Sequence, residues 1–172
     1  VQAKDYVIGL GVVLLLCVDG WGCAALENET CREHRCNAVA MAFEATDPLV
    51  EHVVADLRES TGADVITDPY GVPVLWVPEV TSRETGERLC GVTRYARRKS
   101  SGDILWQEIW IATESREGCG PMSRTLAHEL IHALAPDAAH IEGPAAFSDP
   151  ASSDHYTRAD AAVLCAAVAC DR

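Results

Sequence analysis

The stretch HELIHALAPDAAH, residues 128–140, decides how the rest of the chain is read. His128 and His132 are four apart, Glu129 lies between them, and His140 follows eight residues later. On an α-helix, residues four apart share one face. Two imidazoles so placed can meet one metal ion at about 2.0–2.1 Å. Glu129 is awkwardly placed to be a ligand beside His128, and well placed to hold a water molecule and take its proton. A Zn2+ ion at such a site lowers the pKa of water towards ~7 and polarises a carbonyl, so hydrolysis of an amide is the reaction the pattern serves. A catalytic zinc usually has three protein ligands. His140 is the leading third ligand, because Pro136 ends the helix and lets the chain swing round. Asp137, Asp154 and His155 are the alternatives. Glu142 is the last glutamate and sits too near the helix to act as a distant carboxylate ligand. His34 and His52 have no comparable context and read as surface or structural residues.

Outward from this stretch, GCGPMSRTLAHELIHAL (118–134) predicts a helix that follows Pro121 and is capped by Ser123. Residues 137–156 are rich in Gly, Pro, Ser and Asp and read as a loop. Thr157 opens a last helix, with Asp160 placed as in a capping box. Upstream, ILWQEIWI (104–111), LCGVTRY (89–95) and VLWV (74–77) have the β-branched and aromatic content of strands, and Asp64–Thr67 is a shorter one. ARRKSSGD (96–103) reads as a solvated hairpin loop. DPLVEHVVADLRESTG (47–62) is a helix with Asp47 as N-cap, Pro48 in the first turn and Gly62 as terminator. Residues 24–46 read as an arm or short helix pinned by Cys31 and Cys36. No internal repeat is present. The order of elements predicts an α+β fold, helices backing a mixed, twisted sheet.

Length and composition bound the function. A chain of 172 residues, 48% apolar and 23% charged, suits one globular domain. A formal charge of −12 repels phosphate backbones, so no nucleic-acid partner is expected. The uncharged run at residues 6–18 is shorter than the ~20 residues of a membrane helix and fits a secretory signal. Residues 1–23 are therefore expected to be a signal peptide or a lipoprotein signal, and residues 24–172 a single domain. Gly22-Cys23-Ala24 offers a cleavage site, and Cys23 alternatively takes a lipid, which would be the domain's only tie to a membrane. The expected location is secreted or extracytoplasmic. Six further cysteines, Cys31, Cys36, Cys90, Cys119, Cys165 and Cys170, read as three disulfides in an exported, disulfide-stabilised domain. Their pairing is open. Only Cys165–Cys170 is disfavoured, since a continuing helix separates them by about 7.5 Å.

The stretch at 128–140 resembles the metzincin zinc signature HExxHxxGxxH, and more particularly matrixin-type catalytic domains (those of the matrix-metalloproteinase kind). The similarity spans roughly residues 48–170, through ILWQEIWI, TLAHELIHAL and YTRADAAVLCAAVAC. The resemblance implies a metzincin-like zincin fold with an active-site helix and a C-terminal helix. It implies one Zn2+ held by His128, His132 and His140, and Glu129 as general base of an endopeptidase acting on peptide or protein substrates; a monomer is expected. It places bound substrate along an edge strand, here Gln107, Glu108, Ile109, Trp110 and Ile111. The family's glycine falls on Ala135, and His140 comes two residues late. The Met of the family's Met-turn is absent, since the only methionines are Met41 and Met122. Phe147 in PAAFS is the expected equivalent, and Tyr156 in SSDHY an aid to the oxyanion. These departures also recommend an alternative, a non-catalytic, disulfide-rich binding module of the same fold.

Overall fold

Asp47 accepts a hydrogen bond from Leu49 N at 2.7 Å, Pro48 fills the first turn, and Gly62 closes the helix at φ 73°. These three residues bound α1, Pro48–Thr61. Its stripe of Val50, Val53, Val54 and Leu57 is buried. The computed structural model describes residues 41–45, 47–114, 118–148 and 152–167. The leader, Cys23, Cys31, Cys36, Cys170 and His34 lie outside the described residues.

α1 connects two parallel strands, β1 (Met41–Phe43) and β2 (Val65–Thr67). β1 departs from the expected arm or short helix. Three residues are too few for an alternating pattern to show in sequence, and the strand exists because its backbone is bonded on both sides. Beyond β2, Val72 N donates to Ala42 O at 2.7 Å, and Glu44 N donates to Val72 O at 2.9 Å. Gly71 permits this approach, because a Cβ there would lie 2.6 Å from the β1 backbone. The Phe43–Val72 bridge leads directly into β3, Val74–Val77.

β3 pairs in parallel with β7 (Ile104–Ala112), and β7 pairs antiparallel with β6 (Gly91–Arg97), giving the order β3-β7-β6. A small hairpin, β4 (Val80–Thr81) with β5 (Arg88–Leu89), splits off the start of the run LCGVTRY. β7 is thus a central strand over Ile109–Ile111, with β3 on one side and β6 on the other. The expected edge strand is therefore not ILWQEIWI but β6. Among the described residues β6 is bordered by β7 alone.

Two more helices among the described residues, α2 (Met122–Leu134) and α3 (Arg158–Ala167), give an α+β architecture. α2 begins two residues earlier than a Ser123 cap requires. Pro121 is the N-cap, without a side-chain hydrogen bond, and Ser123 lies inside the helix. α3 begins as expected. Asp160 accepts from Thr157 N and Thr157 Oγ1, both at 2.7 Å. Phe43, Val65, Val74, Ile109 and Ile111 from the strands meet Leu57 of α1 and Leu126, Leu130 and Ile131 of α2 in one core. Cys90 and Cys119 are disulfide-bonded across 29 residues. A loop of that length, closed, stabilises a fold by about 3–4 kcal/mol in the chain-entropy account. This bridge ties the start of β6 to the approach of α2. Cys165 is also disulfide-bonded. No helix among the described residues is long and apolar enough to cross a membrane.

Candidate metal centre

α2 presents His128 and His132 from successive turns, and the chain beyond it must deliver His140. It does so without a left-handed glycine. Ala135 ends the helix at φ −133°, ψ 65°. Ala138 N then donates to Ala135 O at 3.0 Å, closing a turn over Pro136 and Asp137. This turn uses the two residues by which His140 falls late.

The three Nε2 atoms converge. His128 and His132 are 3.1 Å apart, His132 and His140 3.0 Å, and His140 and His128 3.1 Å. Each Nε2 offers either one proton or one lone pair, so three such contacts cannot all be good hydrogen bonds. A metal explains the triangle better. Ligands at about 2.0–2.1 Å in a tetrahedral site are about 3.3 Å apart, close to the observed edges. These three histidines could hold a metal ion.

Their surroundings favour the ligating form. His128 Nδ1 lies 3.0 Å from Ala146 O, which places the proton on Nδ1 and leaves the Nε2 lone pair for a metal. Burial, then the neighbouring imidazoles of His128 and His140, push His132 down to about 3, so it is neutral near pH 7. Phe147 is fully buried, and its ring centroid lies 4.8–5.4 Å from all three imidazoles. It forms an apolar floor beside the cluster.

Asp160 holds that floor in place. Its side chain is fully buried. Besides capping α3 it accepts from Phe147 N at 2.8 Å and Ala146 N at 3.3 Å. One carboxylate therefore fixes both the ring of Phe147 and the carbonyl that orients His128. The capping-box pattern had identified only the first pair of its contacts.

Glu129 is held against β6. Thr93 Oγ1 is 2.9 Å from a carboxylate oxygen of Glu129 and 2.9 Å from Glu129 O. The single hydroxyl proton serves one of these acceptors at a time. Burial raises Glu129 to about 7, and the Thr93 hydrogen bond pulls the other way. Gly91 lets β6 come this close, since a Cβ there would meet Thr125 Cγ2 at 2.7 Å and Glu129 Cγ at 3.0 Å. Neither Thr93 nor Gly91 was singled out by sequence, although a glycine inside a strand is a sign of close backbone approach.

Other expected positions lie elsewhere. Asp137 is ion-paired with Arg97 at 2.7 Å. His155 faces Asp56 at 3.5 Å and Asp154 at 3.8 Å. None of these alternative ligands joins the cluster, and His52 is exposed on α1. Tyr156 is not placed for the oxyanion. It is buried, and its hydroxyl donates to Ala127 O at 3.1 Å in the backbone of α2.

The expected substrate strand is corrected too. Ile109 and Ile111 are fully buried in the core, and Gln107 Nε2 donates to Ala133 O at 2.9 Å. Trp110 lies beneath the guanidinium of Arg94. Glu108 pairs with Arg94 in the ladder, flanked by β6. β6 is an end strand of this sheet, paired only with β7 among the described residues. Ala112 N donates to Cys90 O, so by antiparallel alternation Val92 and Arg94 bond to β7. Gly91, Thr93 and Tyr95 then present their N–H and C=O groups outward.

Comparison of the chain with protein-family models, with curated proteins and with solved structures gave no match.

Proposed function

We propose that the chain is a zinc-dependent endopeptidase of the metzincin type, acting on peptide or protein substrates outside the cytoplasm. The observation that carries this reading is the convergence of three Nε2 atoms within 3.1 Å of one another, one residue from a buried carboxylate. Zinc suits a donor set of neutral imidazoles with an open position, and when bound it supplies a Lewis acid for the carbonyl and acidifies water. His128, His132 and His140 would hold it. Glu129 takes the proton of the attacking water and passes it to the leaving amine nitrogen. A carboxyl raised to about 7 can do both near neutral pH. Thr93 holds that carboxyl between the two events. An extended peptide adds to the outer edge of β6, whose Gly91, Thr93 and Tyr95 offer backbone partners. The turn bearing Phe147 takes the place of the family's Met-turn.

The test joins metal analysis to digestion. The protein should bind one equivalent of zinc and cleave casein, and Glu129→Gln should keep the zinc and lose at least about 10²-fold in rate. Zinc at one equivalent with no cleavage across a broad peptide library would favour the non-catalytic binding module.

A further inference from the structure

The open edge of β6 has two electrically different ends. Residues 94–103 carry Arg94, Arg97, Arg98 and Lys99 against the single carboxylate of Asp103, in a chain of net charge −12. Arg94 is stacked on Trp110 and stands opposite Glu108 in the ladder, and Arg97 is bound to Asp137, so the cations left over at this end are those of the turn, Arg98 and Lys99. Arg98 reaches Asp103 only at 3.8 Å, with both side chains more than half exposed, a pairing too screened to neutralise it. Lys99 is exposed in the turn beyond. At the other end of the strand, the guanidinium groups of Arg83 and Arg88 are outnumbered by the carboxylates of Glu79, Glu84, Glu87 and Glu114, Arg88 being bracketed by Glu79 and Glu114. The potential therefore changes sign along the edge, from negative before Gly91 to positive beyond Tyr95.

Position along the edge converts this gradient into specificity. Thr93 marks the level of Glu129. Arg98 stands five residues on, about 16 Å at the rise of an extended strand. A peptide whose scissile bond lies at Glu129 brings residues about three to six positions away alongside Arg98 and Lys99. We propose that this site selects acidic polypeptides, with Asp or Glu about three to six residues from the scissile bond on the side lying along Tyr95–Lys99. The inference rests on the endopeptidase reading. The alternating backbone donors and acceptors of β6 run straight into the basic turn, which favours a polypeptide over a membrane as the partner.

Binding is measured without turnover, on the zinc-loaded Glu129→Gln protein, by fluorescence anisotropy. Three labelled peptides of equal length carry a neutral sequence, an acidic triplet on one side of the centre, or the triplet on the other. One acidic peptide should bind about three- to tenfold more tightly than the neutral one at low salt, with the preference largely gone near 0.5 M salt, where the Debye length falls to about 4 Å. Arg98→Glu with Lys99→Glu should reverse it. Equal binding of all three peptides, or a preference that survives the double substitution, overturns the proposal. So does sedimentation with phosphatidylserine vesicles in the absence of peptide discrimination, which would assign the basic end to a membrane surface. Turnover of the same peptides by the unaltered protein is scored separately. Loss of all cleavage with the binding preference intact condemns the endopeptidase reading and spares the edge.

Discussion

Replacing the buried Glu129 should make the metal-free protein more stable in alkali. Glu129 is 6% exposed, and burial raises its pKa from 4.5 to about 7. The fold therefore favours the protonated carboxyl. A raised carboxyl contributes fully below the unfolded-state value and loses that contribution as pH climbs through the folded one. Each pKa unit corresponds to about 1.4 kcal/mol, so the rise from 4.5 to about 7 amounts to about 3 kcal/mol lost by pH 8. The amide of the Glu129→Gln variant cannot ionise, and its oxygen still accepts from Thr93. This variant should match the unaltered protein near pH 4.5, gain on it steadily to about pH 7, and then hold a lead of about 3 kcal/mol. Urea unfolding in chelator at several pH values reads this directly. With an m-value of about 2 kcal/mol/M, the midpoints at pH 8 should differ by about 1.5 M. A gap that does not change with pH, or a less stable variant at pH 8, would refute the reasoning.

Two neighbours of the centre give further outcomes. Asp160→Asn replaces an acceptor of four hydrogen bonds by a group that turns an NH2 towards the donors. Stability should fall by about 2–4 kcal/mol, and zinc affinity, measured against a chelating dye, by about 10- to 100-fold, because Ala146 O and Phe147 lose their anchor. Unchanged zinc affinity would confine Asp160 to the cap of α3. Thr93→Val should lower kcat about tenfold with KM and zinc content unchanged, while Thr93→Ser retains most activity. A Val variant with full kcat would show that Glu129 needs no partner on β6.

Local chemistry made several features legible in the sequence. The cap and terminator of α1, the strand content of 74–77 and 104–111, the stop at Pro136 and the pair of Thr157 with Asp160 all depend on residues close in sequence. The histidine spacing is of the same kind for His128 and His132, where helical period alone fixes the geometry. His140 was harder, since the turn at Ala135–Ala138 replaces a glycine conformation with a proline and a backbone hydrogen bond. What escaped is non-local. ILWQEIWI reads as a strand in any sheet order, and nothing within it says that β3 will pair on its outer side. The pairing follows from Val72 docking beside β1, far upstream of β7. The disulfide between Cys90 and Cys119 was one of many pairings that spacing allowed.

The same distinction separates the ligands from what holds them. Two imidazoles on one helix make a site of fixed width but no fixed floor. Here the floor is Phe147, the orientation of His128 comes from Ala146 O, and both are set by a carboxylate on α3, a different helix from the one bearing the motif. Glu129 is held by Thr93 and admitted by Gly91, both on β6, which is paired only with β7 among the described residues. Strand β6 thus touches Glu129 with the side chain of Thr93 and, in the proposed function, would offer a peptide its outward backbone. A substitution that shifts β6 should therefore disturb proton transfer and peptide binding together, whereas one that shifts α3 should disturb the metal and leave the peptide edge alone.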